Sequence, residues 1–368
     1  MYLQTLNIVN FKNIIGAQLE LSPNINCFLG DNGMGKSNLL DAIYCLSFGK
    51  SFSGVVDAML ITRDEDFCMV NAGYLRHGVE ETLSLGMQRG RRKSLRRAGK
   101  EYKKLSDHIG KFPLVLVSPA DMSLIDGSGE ERRRFMDMVI SQTDGRYLDM
   151  LIRYNHALEQ RNRLLRDGQT DAGLYEAIEA GMEMAAAYIC EARGRWVRRL
   201  ADIFRKYYAE IGTDAEVPDL TYKSHLADCA SSLKAVLDER RQRDSILKYT
   251  SAGPHRDDIE MTLSGMPVRR VASQGQAKTY TIALRFAQYE FLREAAGVAP
   301  LLLLDDIFDK LDAGRVTRII DMVAGDTFGQ IFITDTNRKH LDEILSHCGD
   351  SFALWSVEEG RFAELNSE

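Results

Sequence analysis

A chain of 368 residues, 45% of them hydrophobic, is too long for one ordinary core and suits two or three lobes with a sizeable buried interior. Its net charge of −6 excludes a chain that is basic throughout but leaves a local basic patch open, since overall charge says little about distribution. No run of eighteen apolar residues is available to span a bilayer and no N-terminal stretch is flanked like a signal peptide, so a cytoplasmic chain without membrane contact is expected.

Residues 1–29 read as strands: Leu3, Leu6 and Ile8 line the first, while Leu19 and Leu21 lead to Pro23 and the apolar run Ile25, Cys27, Phe28 and Leu29. That run ends in Gly30-Asp31-Asn32-Gly33-Met34-Gly35-Lys36-Ser37, the pattern of a P-loop. In such a loop, glycines let backbone N–H groups curl around the phosphates of ATP, Lys36 reaches the β- and γ-phosphates, and the Ser37 hydroxyl ligates Mg²⁺. Leu39, Leu40, Ile43 and Leu46 follow at helical spacing, so a helix N-terminus adds its dipole to the anion site.

Residues 67–76, 81–88 and 94–103 read as short strands joined by Gly-containing turns, an antiparallel sheet flanking the nucleotide core. Its last hairpin gathers Arg89, Arg91, Arg92, Lys93, Arg96, Arg97, Lys100, Lys103 and Lys104 against one acid, Glu101. A charge run is usually a solvated face, but on a hairpin rim it is also placed to meet a phosphate backbone. Leu114 to Val117 is a buried-strand run that ends at Ser118-Pro119.

From residue 121 to 248 the texture turns to helical stretches rich in Arg, Glu, Leu and Ala, which marks an inserted helical lobe between a first part of the core (1–120) and a second (249–368). Leu148, Leu151, Leu158 and Leu165 keep a 3-4 spacing that predicts helix pairing over a few turns, too short for a long coiled-coil arm. The six cysteines (Cys27, Cys45, Cys68, Cys190, Cys229, Cys348) include no C-x-x-C pair and read as core thiols.

A strand at Met261 to Leu263 leads to Ser273-Gln274-Gly275-Gln276 and a helix carrying Ala277, Tyr280, Leu284, Ala287 and Phe291. Locally this is a capping box, with Ser273 able to cap the helix and Gln276 able to reach back. Leu301-Leu302-Leu303-Leu304-Asp305-Asp306 then has the shape of a Walker B strand: Asp305 is placed to hold Mg²⁺, and Asp306 to orient or deprotonate an attacking water. Gln330 to Thr334 is a further core strand.

In this order the motifs resemble an ABC-type ATPase of the SMC-like branch, and within it the RecF recombination mediators. The likeness rests also on Asn10-Phe11-Lys12-Asn13, Ser118-Pro119-Ala120-Asp121, the run from Glu131 to Asp137, that from Tyr154 to Asn162, and Gly253-Pro254-His255-Arg256-Asp257-Asp258, where Arg256 has no assigned role. The resemblance implies an α/β fold: a P-loop ABC-type ATPase head with a flanking antiparallel β-sheet and a mostly helical second lobe. It implies a weak, slow ATPase whose ATP-bound homodimer, built head to tail, holds double-stranded DNA at gaps or junctions. It also implies work with RecR and RecO, and through them the loading of RecA recombinase in repair and replication restart. Ser273 and Gly275, with Gln276 beside them, would meet the γ-phosphate held by Lys36 of the other chain, and Arg89, Arg91, Arg92, Lys93, Arg96 and Arg97 would face DNA. Another SMC-like ATPase partnered with a nuclease shares the core motifs. A small-molecule kinase or GTPase does not fit: there is no Asn-Lys-x-Asp, and Ser273 would be idle. Three positions depart from the general ABC pattern. Asp306 replaces the usual Glu, Asp309-Lys310-Leu311-Asp312 replaces the Ser-Glu-Leu-Asp style of loop, and Thr334-Asp335-Thr336 stand where a switch histidine would follow the strand.

Overall fold

The computed structural model describes residues 1–212, 216–226, 232–346 and 352–365. They divide into two compact units, one of Met1–Asp121, Glu210–Gly212 and Gln274–Glu368, the other of Met122–Ala209 and Thr213–Ser273.

The first unit opens with β1 (Tyr2–Phe11), β2 (Ile14–Glu20), β3 (Ile25–Leu29) and α1 (Lys36–Phe48). It continues through β4 (Phe67–Arg76), β5 (Val79–Gln88), β6 (Ser94–Arg97), β7 (Lys100–Glu101) and β8 (Leu114–Val117). Six of these strands form an antiparallel sheet in the order β2-β1-β4-β5-β6-β7, with alternating burial that turns one face to the core. A register shift between Leu3 and Thr5 changes the phase of β1, which is how Leu3 and Leu6, an odd three residues apart, both point inward. The strand expected over 94–103 is instead a hairpin: Ala98 and Gly99, with φ of 47° and 75°, reverse the chain between β6 and β7.

The second unit contains α2 (Ser123–Asp126), α3 (Gly129–Thr143), α4 (Gly145–Arg166) and most of α5 (Ala172–Ile211). Next come β9 (Pro218–Lys223), α6 (Leu233–Leu247), β10 (Asp258–Leu263), β11 (Met266–Pro267) and α7 (Val268–Val271). Residues 249–273 therefore lie with the helices and not with the head, because β10 pairs along its length with β9. The buried seam of α4 also differs from the leucine pattern. Tyr147, Tyr154, Arg161 and Leu165 are buried, whereas Leu148, Leu151 and Leu158 are half-exposed. The partners explain it: Arg161 is fully buried between Glu179 and Asp244, at 2.9 and 2.8 Å, and the helix turns this charged face inward.

The chain returns to the first unit with α8 (Gln274–Ala296), β12 (Leu301–Asp305), α9 (Ala313–Ala324) and β13 (Ile331–Asp335). It closes with α10 (Arg338–Leu345), β14 (Phe352–Glu358) and β15 (Arg361–Leu365). The second sheet runs β15-β14-β3-β13-β12-β8, parallel except for β15. β12 and β13, central strands, are buried at every position, as strands covered on both faces must be, and so is the edge strand β8. The Gln330 side chain ties this sheet to the first, exchanging bonds of 2.6 and 2.7 Å with the Leu3 backbone. Cys27, Cys45 and Cys68 are buried free thiols as expected; Cys190, equally buried, is disulfide-bonded, and Cys229 and Cys348 lie outside the described residues.

Candidate nucleotide site

The parallel strands end together at one edge of the second sheet, the place where open α/β sheets bind ligands. Here β3 turns into the Gly30–Ser37 loop and α1. Two glycines are needed for different reasons. A Cβ at Gly30 would strike the Val357 carbonyl of β14, and Gly35 has φ of 114° with the Asn13 side chain 3.0 Å from where a Cβ would sit. Met34 is anchored by its carbonyl, which accepts Gly360 N–H at 2.7 Å. Neither β14 nor β15 was foreseen, yet together they floor the loop.

Lys36 is almost fully buried, and its ammonium donates to the Gly30 and Asp31 carbonyls at 2.5 and 2.8 Å. Burial lowers its pKa, against the opposing pull of Asp306, Asp305, Asp335 and Asp31. Ser37 Oγ donates to Asp305 Oδ1 at 2.8 Å, and the same oxygen accepts the Thr334 hydroxyl at 2.7 Å. Asp306 adopts a left-handed φ of 49°, its N–H bonded to the Thr334 carbonyl at 3.1 Å. Burial raises its pKa, and the charges of Asp335 and Asp305 raise it further.

A cleft of about 210 Å³ is lined by Asn32, Gly33, Gly35, Lys36, Ser37, Asn38, Pro119, Asp305 and Asp306. Its donor set fits a polyphosphate with a hard cation: one ammonium, loop N–H groups, one hydroxyl and two carboxylates. Among the described residues no cluster of three or more acidic, His or Cys side chains offers a closed metal cage. Ser37 and Asp305 would hold Mg²⁺ from one side, the remaining positions falling to phosphate and water as that ion prefers.

Several supports carried no sequence signal of their role. Asn10 and Lys12 take φ of 53° and 51°, which bends the chain so that Lys12 meets the buried Asp41 of α1 at 2.6 Å and Asn13 accepts Asn38 at 2.7 Å. The Asn10-Phe11-Lys12-Asn13 motif thus fixes α1 and, through Asn13, borders Gly35. Asp121, closing the Ser118-Pro119-Ala120-Asp121 turn, takes the Arg285 guanidinium of α8 at 2.6 Å and the Ser118 N–H at 2.9 Å. Although no histidine directly follows β13, His340 reaches back from α10 to Asp335 at 2.9 Å and packs on Phe308. Asp312 caps α9 by accepting Arg315 N–H at 3.0 Å, the bond that chiefly lowers its pKa.

Ser273 immediately precedes α8, with Gly275 and Gln276 in its first turn, and none of the three lines the cleft. A Cβ at Gly275 would fall 2.9 Å from Arg315 Nη1, so this helix end is closely packed. The basic hairpin is less open than its sequence implied. Arg97 pairs with Glu81 at 2.7 Å, Lys93 with Asp57 at 2.9 Å, and Arg96 faces Glu101 at 3.8 Å. Arg89, though exposed, donates to the carbonyls of Glu65, Ala58 and Thr62, and among the described residues Arg91 and Arg92 are the exposed members of the predicted set without a side-chain partner.

A P-loop, a paired-carboxylate strand end and a Ser-x-Gly-Gln helix on a parallel sheet, flanked by an antiparallel sheet, define an ABC-type ATPase head of the SMC-like kind. Residues 2–352 match the RecF/RecN/SMC N terminal domain family. The DNA replication and repair protein RecF of Parabacteroides distasonis is 51% identical over 98% of this chain and 98% of its own length. That of Bacteroides fragilis is 48% identical over the whole of both chains. Among solved structures, the recombination mediator protein RecF-ATPrS in the RecFOR pathway superposes with a TM-score of 0.89 at 28% identity, covering 99% of this chain and 98% of that one. An Smc head domain from Pyrococcus furiosus, at 17% identity and a TM-score of 0.59, shares the fold. The chain belongs to the RecF family of SMC-like, ATP-binding DNA replication and repair proteins.

Proposed function

We propose that the chain is an ATP-switched recombination mediator whose nucleotide site is completed by a second copy. One observation carries this reading: the cleft contains Lys36, Ser37, Asp305 and Asp306, while Ser273, Gly275 and Gln276, the other half of an ABC-type site, do not line it. In a head-to-tail homodimer the Ser273 hydroxyl and the α8 N-terminus would face the partner's γ-phosphate, which a helix dipole suits. The first unit is then the ATPase head and the second the helical lobe. Ser37 and Asp305 would hold Mg²⁺, which would supply charge screening for the phosphates, and Lys36 would turn from its two carbonyls toward them. Asp306, short and held in a left-handed conformation, orients water weakly, so turnover is slow and hydrolysis resets a switch. Double-stranded DNA at gaps or junctions is the bound partner, with Arg91 and Arg92 at the hairpin rim. The superposed structures come from the RecFOR pathway, which supports RecO and RecR as partners, and RecA loading is the outcome this reading assigns to them.

The test is anisotropy of a labelled duplex at fixed salt with Mg-ATP and with Mg-ADP, for the native chain and for Asp306→Asn. ATP should tighten binding at least tenfold, and Asp306→Asn should hold that tight state for the length of the assay by removing hydrolysis. Equal affinity in both nucleotides would overturn the switch.

A further inference from the structure

The loop of residues 249–258 in the second unit is pinned on its inner side. Tyr154 donates its hydroxyl to His255 Nδ1 at 2.7 Å, and His255 Nε2 donates to the Thr250 carbonyl at 2.9 Å. Arg193 donates to the Pro254 carbonyl at 2.6 Å. Asp257, fully buried, accepts the His225 N–H at 2.8 Å along with Tyr222 and Arg193. Gly253, with φ of 125°, lies where a side chain would strike the Tyr154 hydroxyl.

Three guanidiniums gather on the same loop. Arg133 donates to the Asp257 carbonyl at 2.9 Å, Arg240 to Ser251 at 3.3 Å, and Arg256 to Thr250 at 3.4 Å while lying over the exposed Tyr249 ring at 5.0 Å. Each of these bonds occupies one of five N–H donors. Among the described residues none of the three has a carboxylate partner within ion-pair distance, because the neighbouring acids are taken. Asp258 is gripped by Arg132 at 2.7 and 2.9 Å, Asp244 by Arg161, and Asp257 by its four donors. The three charges are felt together at His225, whose pKa falls first through burial and then through Arg240, Arg256 and Arg133.

We propose that Arg256 of the pinned 249–258 loop, with Arg133 of α3 and Arg240 of α6 bonded to that loop, forms a binding face for the phosphate backbone of duplex DNA. This rests on the DNA-binding reading above and assigns it a second contact surface, on the second unit. Planar guanidinium forks match phosphate oxygens, and a loop already fixed from beneath loses little freedom on binding. A row of phosphates also answers three clustered like charges, where one carboxylate would neutralise only one.

The experiment is a salt titration of duplex binding by the full chain in Mg-ATP, comparing native protein with Arg256→Ala, with Arg256→Lys and with the triple Arg133→Gln/Arg240→Gln/Arg256→Gln. The slope of log K against log salt should become shallower by about 1 for Arg256→Ala and by about 2 to 3 for the triple, at roughly 0.9 per lost phosphate contact. Arg256→Lys should keep the slope while losing affinity, since charge remains and the fork does not. Thermal melting checks the fold; if the triple does not fold, the exposed Arg256→Ala decides. Native slope and affinity in Arg256→Ala and in a folded triple would overturn the proposal and turn this face toward an acidic protein surface. Absence of DNA binding by the native chain would instead overturn the DNA-binding reading, and the face with it.

Discussion

His108 shows how a single buried side chain secures the P-loop helix. Its Nε2 donates to the Leu46 carbonyl near the end of α1 at 2.6 Å, while Nδ1 is buried with no partner among the described residues. Protonating Nδ1 would bury a second N–H with no acceptor, and desolvation accordingly lowers the pKa to about 4, with Arg97 and Lys111 adding to the shift. Because the folded value lies below the unfolded value of about 6.5, this contribution to stability is full above pH 6.5 and is lost as pH falls toward 4. At pH 5 the loss is about 2 kcal/mol. Urea melts at pH 7 and pH 5 should therefore show a larger drop in the native chain than in His108→Gln, which keeps a donor toward Leu46 and does not titrate. Equal drops would place the acid sensitivity elsewhere, His255 being the next buried imidazole with a pKa near 4.

At the scale of elements, α8 is held by a charged bond where its sequence offered only an apolar stripe. Arg285 and Asp121 meet at 2.6 Å with 11% and 7% of their side chains exposed. Removing one partner leaves the other nearly dry, so Arg285→Met should cost about 3 kcal/mol, read by urea unfolding. Arg285→Met with Asp121→Asn should recover part of it, and a double variant no better than the single would mean the pair is not coupled. Residues of this kind mark the limit of what sequence shows. The P-loop and the Walker B strand were legible because phosphate and Mg²⁺ chemistry dictate residue types at fixed spacing. The Asp121–Arg285 and Asp335–His340 pairs were not, since their members are joined by packing and folding back, with no local pattern. The α4 seam was misread for a related reason: leucine spacing points to an apolar stripe, but the buried line runs beside it through Tyr147, Tyr154 and Arg161, the last held by Glu179 and Asp244, and only Leu165 of the leucine set is buried on it. β9 was absorbed into the helical texture, although its pairing with β10 carries residues 249–273 into the second unit.

For the whole molecule, the proposed division of the nucleotide site between copies has a consequence that no single-chain site shares. In the proposed head-to-tail dimer each of two sites would take Lys36 from one chain and Ser273 from the other. Lys36→Ala alone damages the P-loop half of both sites, and Ser273→Arg alone damages the signature half of both by adding bulk and charge at the helix end. A mixed dimer of the two variants contains one site with both defects and one with neither. Mixing equal amounts should therefore yield ATP-dependent dimers and measurable ATP hydrolysis that neither variant gives alone, with at most one working site per dimer. Sedimentation velocity with Mg-ATP, alongside steady-state phosphate release, reads both quantities. Were each site complete within one chain, no mixture would restore activity that both variants lack. Ser273→Arg should keep its own nucleotide affinity, because Ser273 lies outside the cleft that holds Lys36. Loss of that affinity would place Ser273 in its own chain's site and count against the shared one.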